Sequence, residues 1–137
     1  MNKIYKVFIV GGGNRLDICL PIFLKSNLDL SGVFISKNEN ISQIKKKLEG
    51  KKIPIFKDWK LFVKLVNNNK NSIVFFISHN KLIDPKIFLT SRLVNYHASP
   101  LPKYRGGSPM NWAIINDEEE FGVSIHELIK STDAGPI

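Results

Sequence analysis

The sequence predicts an α/β fold with a doubly wound, mainly parallel sheet in three α/β/α layers. Residues 4–10 and 73–77 are apolar segments rich in β-branched and aromatic side chains, which is typical of strands buried on both faces. Three glycines at 11–13 follow the first segment and lead into a helical pattern. Strand and helix patterns then alternate along the chain, which favours a Rossmann-like sheet.

The other elements are predicted in chain order. Weaker strand patterns occupy residues 30–35, 53–56 and 93–97, and an alternating pattern occupies 121–129. Helical patterns occupy residues 16–25, 41–48 and 59–66. Pro21 is expected in or near the first turn of its helix, where proline is tolerated. Asp84-Pro85 and Ser108-Pro109 each place a capping residue before a proline at the first helical position.

Length and composition fit one domain over residues 1–137. No apolar run reaches the ~18–20 residues that span a bilayer, so no membrane partner is expected. The single Cys19 excludes an internal disulfide framework, and no Cys/His spacing suits zinc. We expect a cytoplasmic protein without a metal. Because the sequence stops in a loop after Asp133, where another strand is expected, we interpret the domain as truncated at its C-terminal end.

The net charge of +8 admits phosphate-bearing partners such as nucleic acid, a nucleotide sugar or a membrane surface. The lysines are spread along the chain, in runs such as 45–47 and 51–52, and are not interleaved with aromatic residues. This pattern favours a solvated lysine-rich surface over a nucleic-acid-binding face.

The glycine loop opens a helix, whose first backbone amides attract an anion. A dinucleotide fingerprint would need glycine where Leu16 stands and an acid near Ser36-Lys37, so NAD binding is disfavoured. We therefore predict that a phosphate or other polar group of a substrate contacts the loop. The predicted contacts are Gly12, Gly13 and Asn14. A tight turn without a ligand is the alternative.

Asn95 and His97 are the most informative pair in the sequence. Residues two apart on a strand point to the same side, so both side chains face one site. They lie at the carboxyl end of a predicted strand, the edge at which such sheets bind ligands. The other two histidines, His79 and His126, have no spacing that links them to a site, and His126 is expected to be structural.

Three blocks of sequence resemble the folate-dependent formyltransferases. Asn95-x-His97 followed by Ser99-Pro100-Leu101-Pro102-x-Tyr104-Arg105-Gly106 is similar to the signature of that family, Asp133-Ala134-Gly135 to its Asp-x-Gly loop, and residues 78–85 to its folate-lining segment. The family includes methionyl-tRNA formyltransferase, glycinamide ribonucleotide transformylase and the amino-sugar N-formyltransferases. The order and intervals of the blocks fit, and the likeness covers nearly the whole chain.

The resemblance implies an enzyme that transfers a formyl group from its co-substrate, 10-formyltetrahydrofolate, to a primary amine. It assigns catalysis to three residues: Asn95 and His97 as donors to the formyl oxygen, and Asp133 as the group that polarises His97 and helps to remove the amine proton. It also implies folate contacts and amine-substrate contacts. The folate contacts are Asn80, Leu82, Ile83 and Thr132, and the substrate contacts include Tyr104 and Arg105.

The amine acceptor is predicted from one difference between this chain and the family signature. Ser99-Pro100-Leu101-Pro102 stands where the family often has Ser-Leu-Leu-Pro, and this variant resembles the sugar enzymes more than the tRNA enzyme. A nucleotide-linked amino sugar is therefore expected, with charged methionyl-tRNA as the alternative. A second alternative is a non-catalytic folate- or nucleotide-binding module, which would not need Asn95, His97 and Asp133 together.

Overall fold

The computed structural model describes residues 5–36 and 41–137, so Ile4 of the first predicted strand lies outside it, as does Lys37, which stands where a dinucleotide site would want an acid. The strands are β1 (Lys6–Gly11), β2 (Asp29–Ile35), β3 (Ile55–Phe56), β4 (Ser72–Ile77), β5 (Arg92–His97) and β6 (Ser124–Glu127). The helices are α1 (Gly13–Lys25), α2 (Ile41–Leu48), α3 (Trp59–Asn67) and α4 (Pro109–Ile115). None of these helices is long and apolar enough to cross a membrane.

The six strands form one sheet in the order β3-β2-β1-β4-β5-β6, parallel except for β6, which runs antiparallel to β5. The central strand β1 alternates between two cores. Val7 and Ile9 pack with residues of α1 and α2, whereas Phe8 and Val10 pack with residues of α3. Helices therefore cover both faces, and the predicted three-layer α/β fold is confirmed. The carboxyl ends of the parallel strands meet at one edge of the sheet.

The predicted strands and helices occur, with ends that differ by one to three residues, apart from a shorter last strand. The placement of Pro21 was wrong, because α1 begins at Gly13 and Pro21 lies in its interior. Proline leaves the carbonyl four residues earlier without its helical partner. Here the carbonyl of Asp17 accepts a hydrogen bond from the Lys47 ammonium at 2.8 Å. This contact from α2 replaces the missing bond.

The two predicted helix starts, at Pro85 and Pro109, differ in the structure. Asp84 caps as expected by accepting from the Lys86 backbone N–H at 3.0 Å, but only a single 3₁₀ turn, Pro85–Ile87, follows. Pro109 is the first residue of α4, yet Ser108 has φ 54° and makes no capping bond with its side chain. A residue other than glycine with a positive φ is uncommon and is typical of a turn. Ser108 therefore serves as a bend that leads into α4.

Candidate active site

An open cleft of about 940 Å³ lies at the carboxyl edge of the sheet, beyond β4 and β5. Its walls are residues 78–84, the loop 106–109, and β6 with the segment that follows it. Its volume is within the ~300–1,000 Å³ range typical of small-molecule sites. Within residues 5–36 and 41–137, no His, Cys, Asp or Glu side chains are grouped to hold a metal ion.

Asn95, His97 and Asp133 come together on this cleft. Asn95 Nδ2 donates to Asp133 Oδ1 at 3.3 Å, and His97 Nδ1 lies 3.4 Å from Asp133 Oδ2. The His97 and Asp133 side chains are almost buried, with exposed fractions of 9% and 11%. The carboxylate thus bridges the two strand-end side chains. The strand spacing predicted that Asn95 and His97 face one site, and Asp133, named by the family resemblance, lies beside both.

The second ring nitrogen of His97 fixes its tautomer. Nε2 lies 2.8 Å from the backbone carbonyl of Tyr104. A carbonyl only accepts, so Nε2 carries the proton and Nδ1 of the neutral ring presents a lone pair towards Asp133. A further proton on Nδ1 would complete an ion pair with that carboxylate. A proton on Nδ1 would therefore lie between His97 and Asp133, on the cleft.

Asp133 is positioned by backbone contacts on both sides. The Gly106 N–H donates to its Oδ2 at 2.8 Å, and its own φ is 46°. Two residues on, the chain lies directly against β6, where the Glu127 N–H donates to the Pro136 carbonyl at 2.8 Å. A Cβ on Gly135 would stand in direct collision with the Glu127 carbonyl oxygen. Only glycine fits this contact, which holds the loop that carries Asp133 against β6.

Gly135→Ala is therefore expected to push the loop off β6 and to lower kcat by at least about 100-fold, since a misplacement of ~1 Å has that cost. Steady-state formyl transfer, the activity that the family resemblance implies, would measure it. Gly122→Ala is the matched control, because a Cβ there would make only ordinary van der Waals contact with Pro100 and Gly122 does not line the cleft, so this variant should keep the wild-type rate. Equal rates in the two variants would show that the loop contact does not position Asp133.

His126 belongs to the same cluster, although it was expected to be structural. It pairs with Asn95 across β5 and β6, and its Nε2 lies 3.1 Å from Asn95 Nδ2 and 3.3 Å from Asp133 Oδ1. The signal for this lies in the folded strand rather than in the sequence pattern. Ser124 and His126 face inwards while Ile125 is 55% exposed, so β6 buries its polar side. A strand that turns polar residues inwards indicates a site on that face.

The predicted folate contacts all line the cleft. They are Asn80, Leu82, Ile83 and Thr132. Leu82 is 89% exposed, so it offers apolar surface for a ligand to cover. Their role in binding folate stays a prediction.

The predicted substrate contacts lie beside the cleft rather than on it. Among the described residues, Arg15 lines it, whereas the five predicted ones do not: Gly12, Gly13, Asn14, Tyr104 and Arg105. Gly12 and Gly13 are buried at the start of α1. Besides holding His97, Tyr104 donates its hydroxyl to Glu118 at 2.6 Å, which lowers the pKa of that carboxyl. Tyr104 thus braces the loop, and its contact with substrate remains a prediction.

His79 also lies in the cleft wall, stacked at 10° on Trp59 with ring centroids 5.9 Å apart. Both of its ring nitrogens are buried without a hydrogen-bond partner among the described residues. Burial, aided by the nearby charge of Lys81, lowers the pKa of His79 to about 4. The folded protein therefore holds this ring neutral.

A depressed histidine pKa implies a loss of stability in acid. The stability that the neutral His79 ring provides is fully present above its ordinary pKa of 6.5. It declines as the pH falls towards 4. His79→Phe should reduce the acid-induced fall in unfolding free energy by about 1–2 kcal/mol, allowing for the partial exposure of the ring. Denaturant titrations at pH 7 and pH 4.5 would measure this. Identical losses in the two proteins would exclude His79 as the cause.

A sequence model of the formyl transferase family matches residues 61–137. The chain belongs to the formyl transferase family. The matched segment contains Asn95, His97 and Asp133, so the cluster lies within the part that this chain shares with the family. The family resemblance predicted from the sequence is confirmed.

Three relatives show the extent of the likeness. The bifunctional polymyxin resistance protein ArnA of Wigglesworthia glossinidia brevipalpis is 36% identical over an alignment of 102 residues that covers 70% of this chain and 16% of that protein. The sugar 3N-formyl transferase WlaRD, crystallised in the presence of dTDP and 5-N-formyl-THF, is 28% identical, with a TM-score of 0.77 over 98% of this chain and 50% of its own. Phosphoribosylglycinamide formyltransferase from Anaplasma phagocytophilum has a TM-score of 0.78 at 18% identity over 98% of this chain and 69% of its own, which shows a shared fold.

Proposed function

We propose that residues 1–137 form the N-terminal catalytic domain of a cytoplasmic enzyme that transfers the formyl group of 10-formyltetrahydrofolate to the primary amine of a nucleotide-linked amino sugar. The observation that carries this proposal is the cluster of Asn95, His97 and Asp133 on a cleft of about 940 Å³. The likeness to WlaRD, a sugar N-formyl transferase crystallised with a formyl folate and a nucleotide, supports both substrates.

The reaction is acyl transfer. The amine nitrogen attacks the formyl carbon, a C–N bond forms, and the formyl oxygen becomes anionic. Asn95 Nδ2 and a protonated His97 Nδ1 are placed to donate to that oxygen, and one well-placed donor is worth about 3–4 kcal/mol in the transition state. Asp133 takes the proton that the amine loses, directly or through water. The bond to the folate nitrogen then breaks, and the proton is returned to that nitrogen.

The spacing of the cluster suits groups that share their hydrogen bonds with a substrate. The contacts of Asp133 with Asn95 and His97, at 3.3 and 3.4 Å, are long for hydrogen bonds. Catalytic contacts are often loose in the free enzyme and tighten in the substrate complex. A formyl oxygen can therefore compete for the same donors without breaking a strong bond. A module that only bound folate would not need these three groups together.

An acceptor panel tests the proposal. The protein would be given 10-formyltetrahydrofolate with a dTDP-linked amino sugar, the same amino sugar without its nucleotide, glycinamide ribonucleotide, or charged methionyl-tRNA. We expect tetrahydrofolate release and an N-formyl product with the nucleotide sugar, and little with the free sugar. Preference for the tRNA would overturn the acceptor, and no release with any amine would overturn the activity.

A further inference from the structure

We propose that His126 is a positioning residue that fixes the side-chain amide of Asn95 with its N–H groups towards the reacting centre. The inference rests on the proposed formyl transfer and deepens it. His126 is only 3% exposed and lies directly opposite Asn95 in the β5–β6 pairing. Its Nε2 contacts both Asn95 Nδ2, at 3.1 Å, and Asp133 Oδ1, at 3.3 Å, and the nearer contact is the one through which we propose that it acts.

The tautomer of His126 is set by the backbone. Its Nδ1 lies 2.9 Å from the carbonyl oxygen of Glu127. Since a carbonyl only accepts, Nδ1 carries the proton of the neutral ring, and Nε2 is left with a lone pair. The backbone contact on β6 thus leaves Nε2 as a hydrogen-bond acceptor that faces Asn95 on β5.

That acceptor decides which way the Asn95 amide points. The Asn95 Nδ2 lies 3.1 Å from His126 Nε2, so its amide nitrogen, and not its oxygen, faces the ring. The second N–H of the same nitrogen is then directed to Asp133 Oδ1 at 3.3 Å. The single NH₂ group bridges two acceptors, which themselves stand 3.3 Å apart. One N–H is held by His126, and the other lies beside Asp133, where the amine attacks the formyl carbon.

His126 is needed because Asp133 cannot hold this orientation throughout the reaction. Once Asp133 has taken a proton from the amine, it attracts the Asn95 N–H less strongly. The lone pair of His126 does not change in that step, since its ring is tied to a backbone carbonyl. Without that lone pair, the amide can turn over and present its oxygen to the forming oxyanion, which would be repulsive.

The first test does not use activity. In a long-range ¹H–¹⁵N correlation spectrum of the wild-type protein at neutral pH, His126 should show the neutral ring with its proton on Nδ1. A proton on Nε2, in either the neutral or the charged ring, would overturn the proposal.

The second test compares three replacements of His126. Gln places an amide oxygen near the position of Nε2, Asn reaches only as far as Nδ1, and Phe fills the volume without an acceptor. We expect His126→Gln to keep kcat within a few-fold. His126→Asn and His126→Phe should lose about 30- to 100-fold in kcat, with KM for both substrates little changed.

The pattern separates positioning from mere packing. Wild-type kcat in His126→Asn, or equal losses in His126→Asn and His126→Gln, would overturn the proposal. If His126→Phe fails to fold, the Asn/Gln pair still decides. Absence of formyl transfer in the wild-type protein would count against the proposed function, whereas the tautomer of His126 would still be measured directly.

Discussion

Replacing Asp133 by Asn is expected to lower kcat by about 1,000-fold while the affinity for a non-reactive folate stays nearly unchanged. Asn has the same shape and tolerates the φ of 46° at this position. Its side-chain oxygen can still accept from Asn95. The amide, however, neither takes the amine proton nor pairs with a protonated His97. Steady-state kinetics with isothermal calorimetry of the folate analogue would separate turnover from binding.

A matched control for this change exists in the same chain. Asp117 is an exposed aspartate that also has a positive φ, 53°, and Asp117→Asn should leave both kcat and folate affinity at wild-type values. The comparison therefore holds the backbone conformation and the change of charge constant. An Asp133→Asn rate within tenfold of the wild type would remove Asp133 from the proton transfer.

Replacing His97 by Ala is expected to lower kcat by about 100- to 1,000-fold, the cost of one donor to an oxyanion. The interaction develops only in the transition state, so its loss should appear in kcat rather than in substrate affinity. Leu82 and Ile83, the proposed apolar folate contacts, are untouched by the change. Calorimetry with a non-reactive folate should therefore give a dissociation constant close to that of the wild type.

The two measurements also separate the alternatives for His97. An unchanged kcat would remove it from the mechanism. A collapse of analogue affinity with kcat preserved would make it a binding residue and would favour the non-catalytic folate-binding module. Because His97 Nε2 holds the Tyr104 carbonyl at 2.8 Å, the melting temperature of the variant should be measured beside the rates.

The parts of the site that could be predicted from the sequence are those whose interacting residues lie close together along the chain. The pairing of Asn95 and His97 needs only the two-residue period of a strand, so local reasoning places both on one side. His126 lies 31 residues from Asn95 and joins it only because β6 runs antiparallel to β5. Nothing in the local pattern of 121–129 fixes that pairing. Asp133 lies further along the chain and was predicted from the family resemblance alone.

The errors of detail have the same origin. Pro21 disfavours a helix interior by local rules, but a lysine from another helix supplies a partner for the Asp17 carbonyl. Ser108 is a residue type that commonly caps helices, yet here it has a positive φ, 54°, and its side chain makes no capping bond. In both cases a tertiary contact or loop geometry outweighed a local preference. Such compensation is visible only once the chain is folded.

The central claim is that Asn95, His97 and Asp133 surround the reacting carbon. A crystal structure of the protein with a non-reactive formyl folate tests it most directly. The account predicts the formyl group within about 3.5 Å of Asn95 Nδ2 and beside Asp133, a near-attack arrangement, with the folate ring against Leu82 and Ile83. A folate bound at another edge of the sheet, or in the cleft with its formyl group directed away from these three side chains, would contradict it.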